Sequence, residues 1–163
     1  MFYILTMKSC IIKSPLGYTK IVGDEHGIAS ISVLNSEEKE SDVIPEELQD
    51  CVVQLNDYFE GKRRAFDLKL NPSGTFFQKQ VWNELQQIPF GKTISYLDLS
   101  KKLGDVKAIR AVANANGKNP LWIVVPCHRV IGTDGSLTGY AGGLHRKQWL
   151  LQYESLSKQQ SLF

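Results

Sequence analysis

Short apolar stretches alternate with breakers over the start of the chain: Ile11-Ile12, Tyr18 to Val22 and Ile28 to Leu34 are interrupted by Ser14-Pro15-Leu16-Gly17 and Gly23-Asp24-Glu25-His26-Gly27. Runs this short, rich in β-branched residues and bounded by Gly and Pro, predict antiparallel strands joined by tight turns. The polar segment Asn35 to Asp42 predicts a loop. The period then becomes helical: Leu48, Val52, Leu55 and Phe59 recur at helix spacing after Pro45. Glu46 and Glu47 put acids in the first turn, and Gly61 with Lys62, Arg63 and Arg64 closes the last. The apolar stripe is expected to cover one face of the small sheet, with Cys51 on or near it as a structural residue.

Asn71-Pro72-Ser73-Gly74 is a cluster of breakers, and the domain junction is placed there, giving residues 1–74 as an α/β domain with its linker and 75–163 as a second domain. Thr75-x-x-Gln78 is a capping box, and Phe77, Val81, Leu85 and Ile88 make the buried face of a helix that Pro89 ends. Ser95-x-x-Asp98 caps a short helix with Tyr96, Leu99 and Leu103 inward, ending at Gly104. Asp105 caps another from Val106 to about Asn116. Two short helices around a Gly-Asp turn outline a helix-turn-helix, whose second member normally meets DNA. In that member Ala108, Ala111, Ala113 and Ala115 are small, while Lys107, Arg110 and Asn114 share a side. Small residues let a backbone approach a groove and a basic residue among them can contact phosphate. Plain helix packing explains the alanines equally well.

The apolar run Leu121 to Val125 predicts a short buried strand that surfaces at Pro126, which holds its neighbours extended. Cys127 and His128 follow. A thiol is a weak nucleophile until an imidazole takes its proton, so the pair suits covalent chemistry; a cysteine at the end of an apolar run also reads as a small buried hydrophobe. Gly132 to Gly143 is glycine-rich and can bring backbone N–H groups against a ligand, or can be a plain loop. The final helix, from about His145, is expected to bury Leu150, Leu151 and Tyr153, and Glu154 beside that stripe needs a partner, for which His128 is the candidate.

With 163 residues, 42% hydrophobic and 22% charged, the chain suits one compact domain or two small ones, and its composition excludes disorder. A net charge of +2 is too small to announce nucleic acid, so any basic face must be local. The first eight residues hold one lysine and no small-residue cleavage pattern, and no apolar run approaches a bilayer span. A soluble, cytoplasmic protein with no membrane partner is expected. Three cysteines with no C-x-x-C argue against a disulfide framework, and a reducing compartment suits a free thiol. His26, in a polar turn, is expected to be a surface residue and not a metal ligand.

Taken in order, Pro126-Cys127-His128-Arg129-Val130, preceded by Arg110-Ala111-Val112 and Asn119-Pro120 and followed by Gly139-Tyr140-x-Gly142-Gly143-Leu144 and a helix ending in glutamate, resemble the O6-alkylguanine-DNA alkyltransferase family. Ser14-Pro15-Leu16-Gly17 and Tyr58-Phe59-Glu60-Gly61-Lys62 extend the resemblance over nearly the whole chain. It implies an α+β fold: a ribonuclease H-like N-terminal domain with a small antiparallel sheet and a helix, and a mostly helical winged helix-turn-helix domain carrying the active site. It implies direct-reversal repair, a single irreversible transfer of the alkyl group from O6-alkylguanine, with O4-alkylthymine as a second substrate, to Cys127. His128 would act as base through a water, Glu154 would orient it, Asn119 would brace the turn, and Tyr96 would protonate guanine N3.

By the same resemblance Val130, Tyr140, Ala141 and Gly142 would hold the base, with the carbonyls of Cys127 and Val130 reading its amine. Arg110 would replace the extruded nucleotide from the minor groove, and Lys107, Ala111, Asn114 and Ser95 would meet the DNA. Ala141 stands where some relatives have serine, and Asn116-Gly117 where some have bulkier residues, which leaves pocket width open. Some relatives hold zinc, but Cys10 and His26 are two ligands short, so no metal, no organic cofactor and a monomer are expected. The rivals are a non-catalytic helix-turn-helix protein that binds lesions or regulates, and a thiol hydrolase. The first would lack the cysteine, and the second gives Arg110 no role.

Overall fold

The computed structural model describes residues 7–160, side chains being described to residue 155; most of the N-terminal stretch in which no leader is expected lies outside that range. The fold is α+β and divides into two compact units, Met1–Ser73 with Pro120–Trp122, and Gly74–Asn119 with Ile123–Phe163.

In the first unit, β1 (Lys8–Ser14), β2 (Gly17–Asp24) and β3 (Gly27–Val33) form an antiparallel meander. The turn glycines are forced: Gly17 and Gly27 both sit at φ 132°, and a Cβ on Gly27 would lie 2.8 Å from the Lys69 carbonyl. The register pairs Cys10 with Ile21 and Ile21 with Ile31, and Ile21 and Ile31 are fully buried. The outer edge of β3 is covered by single bridges, Ile28 to Leu70 and Ile31 to Leu121, which keep that edge from pairing with another chain. Helix α1 (Glu46–Phe59) packs on β1 and β2. Its buried stripe is Leu48, Cys51, Leu55 and Tyr58; Val52 and Phe59, expected at its centre, flank it half-buried. The large Tyr58 ring and buried Gln54, whose amide exchanges two hydrogen bonds of 2.9 Å with the Asp67 backbone, set the helix's rotation.

The second unit is mostly helical. Helix α2 (Phe76–Leu85) starts at the Thr75–Gln78 capping box, with both reciprocal bonds made. Trp82 completes its buried face and donates its indole N–H to the Ala115 carbonyl at 2.8 Å. Strand β4 (Ile94–Ser95) runs directly into α3 (Tyr96–Lys102), capped by Ser95. After Gly104 at φ 90°, Asp105 caps only a single 3-10 turn, Val106–Ala108, and the second helix, α4, begins later than its spacing suggested, at Ile109–Gly117. The Asp105 carboxylate takes the Lys107 N–H at 2.9 Å, which tightens that first turn.

The run Leu121 to Val125 is buried as expected, yet it is not a strand. Leu121 alone bridges β3; the chain then turns, with Ile123 in the left-handed region at φ 69°. A run buried on every side carries no periodicity from which strand and turn could be told apart. For a β-branched residue such a φ is strained, and full burial of Ile123 holds it in place. Nor is the chain extended past Pro126. Pro126, at φ −83° and ψ 63°, makes an inverse γ-turn in which the Cys127 N–H reaches the Val125 carbonyl at 2.8 Å, and Cys127–Arg129 is a 3-10 turn. Strand β5 (Val130–Ile131) leaves that turn and pairs in parallel with β4, Ile94 with Val130 and Ser95 with Ile131. This pairing brings Tyr96 beside the cysteine turn. Helix α5 (Leu144–Gln160) buries Leu150, with Leu151 and Tyr153 half-exposed. No helix among the described residues is long and apolar enough to cross a membrane.

Candidate active site

Glu154, 1% exposed on α5, is the hub of the site. Its Oε1 lies 2.7 Å from His128 Nε2 and 2.8 Å from Arg129 Nη2; its Oε2 accepts from Arg129 Nε at 2.9 Å and from the Gly91 N–H at 3.4 Å. Burial alone would raise this carboxyl, but the His128 and Arg129 hydrogen bonds and charges outweigh it and hold the group down at about 2. It is a carboxylate at any physiological pH. His128 is wholly buried, and burial lowers its imidazole, with Arg129 and Lys147 adding to the effect and Glu154 opposing it. The ring is therefore neutral near pH 7. Facing a carboxylate, Nε2 carries the hydrogen, which leaves Nδ1 as the acceptor; Nδ1 is buried and makes no hydrogen bond.

Cys127, 6% exposed, is one of the free thiols Cys10, Cys51 and Cys127. Burial pushes the Cys127 thiol up, against a hydrogen bond from Asn119 and the charge of Lys147. Asn119 also donates Nδ2 to the Val125 carbonyl at 2.7 Å, so one amide holds both the turn before the cysteine and its sulfur. Lys147 was not singled out by the sequence. It is wholly buried on α5, and its Nζ donates to the Val130 carbonyl at 2.6 Å and the Thr138 carbonyl at 3.1 Å. Arg146 beside it donates to the Gly142 carbonyl at 2.8 Å. These two cations pin the glycine-rich loop to α5.

An ammonium held against a buried thiol favours the thiolate. Lys147→Met should slow alkylation of Cys127 by iodoacetamide at pH 7 several-fold or more, because the charge that favours the thiolate is gone, and shift the rate profile to higher pH. Lys147→Arg should keep the native profile. An unshifted profile in the methionine variant would leave Lys147 with the loop alone.

A cleft of about 640 Å³ lies in this unit, lined by Tyr96, Arg110, Ala113 and Asn114 on the helical side and by Thr138, Tyr140 and Ala141 on the loop side, among others. Its size admits a purine. Tyr96 contacts Thr138 and senses the charge of Cys127, which itself does not line the cleft. Val130 is fully buried and Gly142 is half-buried, and neither lines the cleft. Arg110, Ala111, Asn114 and Lys107 are exposed along α4 and its leading turn, and Ser95 is half-buried at the start of α3. The structure thus gathers Cys127, His128, Glu154, Asn119 and Tyr96 around one turn, with the basic helix face on the rim of the cleft. His26 is exposed, while Cys10 is 2% exposed in the sheet. Among the described residues no three His, Cys, Asp or Glu side chains gather as a metal site would require.

These features define a class: α+β proteins in which a small sheet unit accompanies a helix-turn-helix unit built around a buried cysteine, histidine and glutamate. Residues 7–72 match the family model for the ribonuclease-like domain of 6-O-methylguanine DNA methyltransferase, and residues 76–156 match that for its DNA binding domain. A methylated-DNA–protein-cysteine methyltransferase of Methanosarcina acetivorans is 46% identical over 153 residues, covering 91% of this chain and 98% of that protein. The one of Mycobacterium tuberculosis is 42% identical over 147 residues, covering 88% and 89%. The crystal structure of M. tuberculosis O6-methylguanine methyltransferase superposes with a TM-score of 0.83 at 39% identity, covering 93% of this chain and 94% of that one. The same enzyme in complex with DNA gives 0.82 at 41%, covering 90% and 92%. The chain belongs to the methylated-DNA–protein-cysteine methyltransferase family.

Proposed function

We propose that this protein repairs O6-alkylguanine, and O4-alkylthymine, in double-stranded DNA by moving the alkyl group onto Cys127. The observation that carries the reading is the buried, neutral His128 with Nε2 engaged by Glu154 and Nδ1 left to accept a proton. The Cys127 proton passes through a water to Nδ1, and the sulfur attacks the alkyl carbon. The C–O bond breaks and its electrons stay with the guanine, which takes a proton at N3 from Tyr96. The products are S-alkyl-cysteine and guanine. A thioether is not a leaving group, so each molecule acts once. Residues 75–163 carry this chemistry, and 1–74 form the companion domain.

An alkyl carbon inside the stack is out of reach, so the nucleotide must be turned out into the cleft. Arg110, on the cleft's rim, fills the space it leaves, and the small residues of α4 let that helix enter the minor groove. Lys107, Ala111, Asn114 and Ser95 meet the backbone, the Ala141 N–H steadies O6, and Tyr140 and Gly142 shape the loop around the base. The Val130 carbonyl keeps a lone pair for the exocyclic amine beyond the Lys147 bond, while the Cys127 carbonyl, which accepts the Val130 N–H and, at 3.5 Å, Asn116 Nδ2, shares its second lone pair between Asn116 and the amine. A monomer in the reducing cytoplasm suits a free thiol that must remain reduced.

The test is to count guanines restored in an excess of duplex carrying O6-methylguanine. Repair should stop at one lesion per molecule; continued turnover, or no restored guanine, would overturn the reading. Arg110→Ala should slow duplex repair by roughly 10- to 100-fold, the scale of an unstacking cost of a few kcal/mol, and leave reaction with free O6-benzylguanine nearly unchanged. Equal losses on both substrates would strip Arg110 of its place in extrusion.

A further inference from the structure

Asn116 is 1% exposed at the end of α4, yet its amide is badly matched to its surroundings. Its Nδ2 lies 3.5 Å from the Tyr96 phenol oxygen and 3.5 Å from the Cys127 carbonyl, while Oδ1 is buried with no partner. An orphaned acceptor costs stability that an apolar residue of similar size would not. A carbonyl can only accept, so the Cys127 oxygen fixes the amide with Nδ2 inward. The Tyr96 oxygen is then an acceptor toward Asn116, and its own hydrogen must point elsewhere. Its other side-chain hydrogen-bond partner is Thr138, which lines the cleft with it.

We propose that Asn116 is a positioning residue: by donating to the Tyr96 phenol it aims that proton into the base cleft and strengthens it as a donor to the leaving guanine. A hydroxyl that accepts a hydrogen bond gives its own proton more readily. Bonds of 3.5 Å are long, and such contacts tighten once substrate fills a site. Trp82 holds the carbonyl of the preceding residue, Ala115, so the amide is presented from a fixed helix end. The helix that meets DNA is thereby joined to the proton donor. The inference rests on the role given to Tyr96 above.

The test is a double-variant cycle read with free O6-benzylguanine and, in parallel, with iodoacetamide, an electrophile whose leaving group needs no proton. Asn116→Leu should slow the guanine reaction by about tenfold, a fraction of what a general acid supplies, and leave the iodoacetamide rate unchanged. In a Tyr96→Phe background it should cost nothing further. Melting temperature should be unchanged or higher, because the orphaned acceptor is gone; if the leucine does not fit, Asn116→Ala serves the same cycle. Additive losses, equal slowing with iodoacetamide, or no slowing would overturn the proposal. If Tyr96→Phe alone reacts at the native rate, the role of Tyr96 and this inference both fall, while alkyl transfer to Cys127 stands.

Discussion

Cys127→Ser is expected to abolish repair while leaving the protein folded and able to bind duplex. A hydroxyl is a far weaker acid than a thiol, and neutral His128 cannot ionise it appreciably, so the transfer rate should fall by roughly 10⁴-fold or more. The change is nearly isosteric at a residue 6% exposed, and α4, with Arg110 exposed on it, is untouched. Binding to a lesion duplex, measured by fluorescence anisotropy at a fixed salt concentration, should stay within about twofold of native, since phosphate contacts dominate affinity. A serine variant that still restores guanine would remove Cys127 from the chemistry.

Glu154→Gln is the second large effect, and it should strike stability and transfer together. The substitution leaves the Arg129 guanidinium buried with no counter-charge, a loss of about 3–5 kcal/mol, or on the order of 10 °C in Tm for a chain of this size. It also frees the imidazole from the tautomer that the carboxylate imposes, so transfer should fall roughly 10²- to 10⁴-fold. Replacing both members, Arg129→Met with Glu154→Leu, should recover much of the stability and none of the transfer. Recovered activity in the pair would show that Glu154 serves the fold and not the imidazole.

The same cluster makes the fold less stable in acid. His128 and Glu154 both titrate below their ordinary values, so the unfolded chain binds more protons as the pH falls. Their contribution is complete above the ordinary histidine value of 6.5, begins to fade below it through His128, and fades again from 4.5 toward about 2 as Glu154 takes its proton.

Much of this was legible in the sequence because it is local. Breakers around β-branched runs marked β1 to β3, and the Thr75–Gln78 and Ser95–Asp98 caps marked the starts of α2 and α3 to the residue. What escaped depends on distant partners. Lys147 sits between Arg146 and Gln148 in a polar stretch that reads as a solvated face, and only the Val130 and Thr138 carbonyls give its ammonium a reason to be buried. A clue was present: Lys147, Leu150 and Glu154 fall at helical spacing, so the inward face of α5 carries charged residues beside an apolar one. Arg129, inside the Pro-Cys-His-Arg-Val stretch, drew no role until its two bonds to Glu154 placed it. The turn at Ile123 left no mark because β-branched residues rarely adopt it.

The central claim is that one buried sulfur takes the alkyl group, and the most direct measurement is the mass of the intact protein after mixing with duplex O6-methylguanine, followed by peptide mapping. A gain equal to one CH2 group, located on the peptide carrying Cys127, is expected. An unchanged mass with the lesion still in the DNA, or the added group on Cys10 or Cys51, would contradict it.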